Sequence, residues 1–194
     1  MTMASLVHAG ADPVQIAAIL GGLPLDGYAL GFEPVLRCGI AATQAHVVVH
    51  LDDDHHDDDH HDRHRPYRAI RELIDAADLP ERVRDRAQRT FRMLAEVEGA
   101  MHRVDPDDVE FHEVGGVDAI VDIVGVCAAL EVLGIDRIVC SPITVGQGTV
   151  HAAHGELPNP APAVVELLAR RGAPSRGIAD DKELATPTGV ALMT

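Results

Sequence analysis

The segment that most restricts what this chain can fold into is Gly116 to Leu133. Nearly every position in it is apolar, and its charges are Asp118, Asp122 and Glu131. A helix that is apolar almost all round is buried on most of its faces, so the rest of the chain must cover it. The stretch is too short and too charged to span a bilayer, and no membrane association is expected. Asp118, Asp122 and Gly125 recur at i, i+4 and i+7, which sets one narrow polar stripe along an otherwise buried helix. Two stacked carboxylates repel unless a cation, a proton or a basic group sits between them. His112 and Glu113 lie just before the same helix. His112, Glu113, Asp118 and Asp122 are therefore the candidate catalytic groups. The structural alternative makes Asp118 a first-turn dipole partner and Asp122 half of a salt bridge.

Around this helix the pattern mixes helices and short strands with no regular βαβ alternation, which predicts an α+β fold in a single globular domain spanning 1–194. Two short helices are expected over 4–20, with Asp12-Pro13 opening the second. Tyr28–Arg37 and Ile40–Leu51 read as the strands of a hairpin turned at Cys38-Gly39. Tyr67–Ala77 and Pro80–Met101 read as helices, the latter with a stripe through Val83, Ala87, Phe91, Leu94, Val97 and Met101. Ile135–Val145 reads as a strand and Gly146–Pro162 as a loop. Pro162–Arg171 reads as a helix, and another begins at Thr188.

Residues 52–65, DDDHHDDDHHDRHR, contain seven Asp and no apolar residue. Nothing there can enter a core, so a disordered, solvated His/Asp-rich loop is expected. Seven of the chain's 12 His fall between His46 and His64 (His46, His50, His55, His56, His60, His61, His64). Neutral imidazole suits nickel, zinc, copper and cobalt, so these are the candidate metal ligands. The spacing is not that of a closed four-ligand zinc site. Either the run captures and delivers metal, or it is a charged linker that binds metal only incidentally.

Two further segments carry possible ligand contacts. In Ser141–Pro162 the Gly146 and Gly148 backbone can approach an anion, and His151 and His154 can share a metal or phosphate. In ELATPTG, Glu183–Gly189, Thr186 and Thr188 flank a turn that offers N–H groups and hydroxyls to a phosphate or carboxylate. The same Thr is equally an ordinary helix cap.

Charge and composition exclude other classes. Lys+Arg is 16 against Asp+Glu 31, a formal net charge of −15, the wrong sign for neutralising a nucleic-acid backbone, so no nucleic acid is expected. Three cysteines without a CxxC, and no signal-peptide pattern in the first twenty residues, point to a cytoplasmic protein.

Taken together, FHEVGGVDAIVDIVG (111–125), SPITVGQGTVHAAHGELPNPAPA (141–163) and ELATPTGVAL (183–192) resemble the LarC nickel-insertion family. The His-rich stretch and the segment LPERVRDRAQRTFRMLAEVEGAMH (79–102) match in kind. The resemblance implies a nickel chelatase, a CTP-dependent cyclometallase of the lyase class. Its substrate would be pyridinium-3,5-bisthiocarboxylic acid mononucleotide. Its product would be the nickel-pincer cofactor of lactate racemase-type enzymes. It also implies that this chain corresponds to the N-terminal half, supplying the nickel-binding and substrate functions. CTP with Mg or Mn is then expected only with the C-terminal nucleotide-binding half, absent here, and the chain is expected to pair with that half or to self-associate. On the residues alone, two other readings stand: a non-enzymatic nickel chaperone or buffer, and a divalent-metal hydrolase built on His112, Asp118, Asp122 and His151.

Overall fold

A computed structural model describes residues 1–49, 65–111, 114–152 and 155–194. Helices α1 (Thr2–His8) and α2 (Pro13–Leu20) are separated at Gly10, whose φ of 114° suits a residue without a Cβ. The Asp12 carboxylate accepts from Val14 N at 2.9 Å and Pro13 takes the first helical position, as the sequence predicts. Strands β1 (Tyr28–Arg37) and β2 (Ile40–Val49) form an antiparallel hairpin. Cys38 and Gly39 turn it with φ of 51° and 78°, the two positive values that match the twist of tightly joined strands. Tyr28, Leu30, Phe32, Ala45 and Val47 pack against the core, whereas Leu36, Ile40 and Val48 are exposed.

A two-residue strand, β3 (Arg65–Pro66), leads into α3 (Tyr67–Ala76) and the long α4 (Glu81–His102). A 3-10 turn (Pro106–Asp108) precedes β4 (Glu110–Phe111), which pairs antiparallel with β3. Helix α5 (Val117–Val132) then crosses the centre, touching α1, α2, α4 and β2, and later α7 (Pro187–Met193). Every residue from Ile123 to Leu130 in α5 is buried, which meets the expectation for its apolar run. Gly125, read from the sequence as part of a polar stripe, is instead where α1 and α2 close on α5: a Cβ there would stand 2.5 Å from Met3 Sδ.

The second half of the chain carries β5 (Ile143–Val145), a hairpin of β6 (Thr149–Ala152) and β7 (Gly155–Pro158), α6 (Pro162–Arg171) and β8 (Ser175–Gly177). β8 pairs with β5 in parallel. Two expectations change here. The strand expected over 135–145 is confined to its last three residues, because β8, its partner, is itself three residues long. Val139 is 80% exposed, with β-branched character but no neighbouring strand to use it. The loop expected over 146–162 contains the β6–β7 hairpin, in which Thr149 Oγ1 donates to Glu156 Oε1 at 2.7 Å. The α+β class holds: seven helices and four separate two-stranded sheets are present among the described residues. No described helix is long and apolar enough to cross a membrane.

Candidate functional site

A cavity of about 230 Å³ opens where the conspicuous sequence segments meet. Leu94, Glu98 and Met101 of α4 form one wall, and Phe111 and Val114 a second. Val150, His151 and Ala152 of β6 face them, with Ala161–Ala163 at the start of α6 and Glu183 and Pro187 before and at the start of α7.

The Phe111 wall is rigid. Its ring is 1% exposed and lies 6.3 Å from both Tyr67 and Phe91, edge-on to the former. Edge and tilted ring pairs of this kind add about 0.5–1.5 kcal/mol beyond burial. Next to it, Gly115 permits a close backbone approach, since a Cβ there would meet Phe111 O at 2.8 Å and Arg65 N at 2.9 Å. Arg65 pairs with Phe111 in the β3–β4 ladder, so the chain re-emerges from the His/Asp-rich segment directly beside the cavity wall. The opposite wall is fixed by Asn159. Its Nδ2 donates to Gln147 O at 3.0 Å and to Lys182 O at 2.9 Å, tying the hairpin to the segment that carries Glu183.

The structure separates the predicted site residues. His151 lines the cavity. Phe111 and Val114, on either side of His112 and Glu113, line it too, as does Ala152 before residues 153–154; His112, Glu113 and His154 themselves lie outside the described residues. So do His50, His55, His56, His60, His61 and His64. His46 is on β2, with Nε2 2.8 Å from Glu33 Oε1. It alternates with Ala45 and Val47, so it faces away from the side of the hairpin that meets the helices.

Asp118 and Asp122 lie on exposed positions near the start of α5 and do not line the cavity, so the structure does not join them with His151. Although Asp122 is solvent-accessible, the atoms packed around its carboxyl remove part of its solvation and raise its pKa; the chain's amino group offsets this and Asp118 adds to it.

The glycine and threonine candidates have local structural duties. Gly146 is packed beneath the 180–182 backbone, and Gln147 N donates to Asp180 O at 2.8 Å. Gly148, at φ 79°, has the Asp181 carboxylate 3.5 Å from where a Cβ would be. Thr186 Oγ1 accepts from Gly189 N at 3.1 Å as the N-cap of α7, and Thr188 sits half-buried in that helix's first turn.

Glu98 was missed by the sequence reasoning. It lies between Leu94 and Met101 at i+4 and i+7 spacing, a carboxylate interrupting the apolar stripe that was assigned wholly to packing. Its Oε2 is 3.4 Å from His102 Nε2. Among the described residues, no three His, Cys, Asp or Glu side chains are grouped closely enough to hold a metal ion.

Comparison with known proteins bears on the same segments. The chain is 44% identical over 194 residues to the "Pyridinium-3,5-bisthiocarboxylic acid mononucleotide nickel insertion protein" of a Nocardioides species, covering 100% of this chain and 47% of that protein. It is 47% identical over 198 residues to a "Putative nickel insertion protein" of Gloeothece citriformis, covering 100% of this chain and 49% of the other. A protein of the same name from Thermomicrobium roseum is 44% identical over 194 residues, with 100% and 46% covered. The chain thus spans about half the length of the curated relatives it matches. No solved structure matches it. The model of the family described as "Nickel insertion protein" matches residues 1–194 without a break, so the segments that wall the cavity and the chain that carries them belong to that family.

Proposed function

We propose that this chain supplies the nickel-handling and substrate half of an activity that inserts nickel into pyridinium-3,5-bisthiocarboxylic acid mononucleotide. The product is the nickel-pincer cofactor of lactate racemase-type enzymes. One observation carries the reading furthest: the chain returns from its His-rich segment at Arg65, paired with Phe111 on the cavity wall. Metal gathered by imidazoles along that segment would be released beside Glu98, His151 and Glu183. Nickel is cargo here, so ligands that exchange readily serve better than a closed site, and nitrogen and oxygen donors suit it.

Forming a nickel–carbon bond on a pyridinium ring requires removal of a ring proton by a positioned base. His112 and Glu113 are the favoured candidates, because their neighbours Phe111 and Val114 line the cavity. Asp118 and Asp122 form a second carboxylate pair at the start of α5, available to a cation. CTP with magnesium or manganese belongs to the part of the activity for which a C-terminal half is required. Pairing with that half, or self-association, completes the reading.

The test has two arms. Replacing His46, His50, His55, His56, His60, His61 and His64 with Asn is expected to leave the circular-dichroism spectrum and Tm unchanged while nickel loading at low metal falls several-fold. An unchanged nickel dependence would remove the delivery role. Separately, the chain is mixed with nickel, CTP, the pyridinium precursor and a separately expressed C-terminal half. The metallated cofactor is expected by mass spectrometry only when both halves are present.

A further inference from the structure

Five arginines converge on one groove of a chain whose formal net charge is −15. The groove has a volume of about 630 Å³ and lies against α4, α6 and α7. Arg86, Arg89 and Arg92 project from α4, and Arg170 and Arg171 from the last turn of α6. Its accessible apolar lining comes from Met93, Leu192 and Met193, with the buried Cys127 and Leu130 behind them, and Glu96 and Asp136 add acidic side chains. Small-molecule sites span about 300–1,000 Å³ and pair an apolar surface with a few convergent polar groups, which this groove does.

Three of the arginines are held loosely. Arg89 pairs with Asp85 at 2.9 Å, with side chains 67% and 61% exposed. Arg92 pairs with Glu96 at 2.9 Å and Arg170 with Glu166 at 2.7 Å, both as neighbours on one helix. Exposed pairs like these are worth about 0–1 kcal/mol and give way readily to a stronger acceptor. Arg171 directs Nε and Nη2 to Thr194 O at 3.0 and 2.7 Å, so its fork already engages an oxygen. Arg86 is the deepest. Its Nη2 donates to Ile135 O and its Nη1 forms an ion pair with Glu131 Oε2 at 3.9 Å. Arg86 is thus fixed at the base of the groove, and Arg89, Arg92 and Arg170 are the arginines that can turn to an incoming oxygen acceptor.

We propose that this groove binds a small phosphate monoester, its phosphate oxygens gripped by guanidinium forks and its apolar body resting on Met93, Leu192 and Met193. Planar guanidinium matches phosphate oxygens two at a time, which lysine cannot do. The apolar lining sets the site apart from one for free phosphate. The groove is separate from the His151 cavity, since α4 contributes different residues to each. The inference does not rest on the nickel reading.

Isothermal titration of the full chain at low ionic strength, with phenyl phosphate and with inorganic phosphate, tests it. Phenyl phosphate is expected to bind several-fold more tightly than inorganic phosphate. Arg89→Ser with Arg170→Ser is expected to weaken phenyl phosphate binding roughly tenfold, as loss of charge-assisted hydrogen bonds would. Asp85→Asn with Glu166→Gln, which releases both arginines, is expected to strengthen it several-fold. Absence of binding overturns the proposal, as does equal affinity for the two probes. If the serine variant fails to fold, unchanged affinity in the Asp85→Asn, Glu166→Gln variant overturns it just as well.

Discussion

At Asp122 the protein keeps a charge where its surroundings disfavour one. Partial loss of solvation holds the carboxyl above its ordinary value of 3.8, and Asp118, one turn back on α5, pushes the same way against the opposing amino group. A carboxyl whose folded pKa exceeds its unfolded value binds its proton more tightly in the native state. Stability therefore falls as pH rises through the unfolded value towards the folded one, and stays lower above it. Asp122→Asn is expected to raise Tm at neutral pH, and the gain should vanish below 3.8, where both states are protonated. On the function proposed above, the same variant is expected to lose activity in the reconstituted insertion reaction, because it would remove half of a carboxylate pair proposed for a cation. A variant with equal Tm across the pH range would show that the charge carries no cost.

Among the elements, the link from β5 to the β6–β7 hairpin depends on one small residue, Gly146. A Cβ on Gly146 would land on the Lys182 carbonyl oxygen and stand 2.6 Å from Asn159 Nδ2 and 2.7 Å from Asp180 O. Two of those three atoms are backbone and cannot swing aside. Gly146→Ala should therefore push the 180–182 segment off the hairpin and cost about 1–3 kcal/mol, the range for overpacking a filled site. Urea unfolding with an unchanged slope and a lower midpoint would verify it. The sequence marks this region and offers its glycines to an anion or to a rigid connection. A GxG pattern does not distinguish backbone that meets a ligand from backbone that meets backbone. Helices α4 and α5 and the β1–β2 hairpin were legible because their signals are local: an apolar stripe, an apolar run, alternation around a turn. β8 was not, since three exposed residues, Ser175–Gly177, become a strand only through Ile143–Val145 more than thirty positions earlier. The cavity was legible only in pieces. His151 and the 183–189 turn stood out, while Glu98 hid in a stripe whose other members are packing residues.

For the whole molecule, the central position of α5 makes one thiol a reporter on the entire fold. Burial pushes Cys127 up to about 12, whereas Cys38 and Cys140 are exposed. The thiolate is the reactive form, so Cys127 is protected by both access and charge. Dithionitrobenzoate should titrate two thiols promptly in the native protein. The third should react only in denaturant, in step with loss of the helical circular-dichroism signal. Release of a third equivalent under native conditions would mean that α5 is exposed by a local opening.

The order in which the polypeptide is made meets that same arrangement from another direction. Met3, Ile16 and Leu20, on α1 and α2, are buried in the finished fold, with both helices packed on α5. That helix begins at Val117, so roughly a hundred residues must be translated before the first two helices have a surface to rest on. At about 5–20 residues per second, α1 and α2 spend several seconds with apolar side chains uncovered. Contacts between distant parts of a chain also form slowly, because loop closure must come before any burial can offset its entropy. Despite its helical content, this protein should therefore acquire its core only once α5 has been made, with α1 and α2 waiting for it.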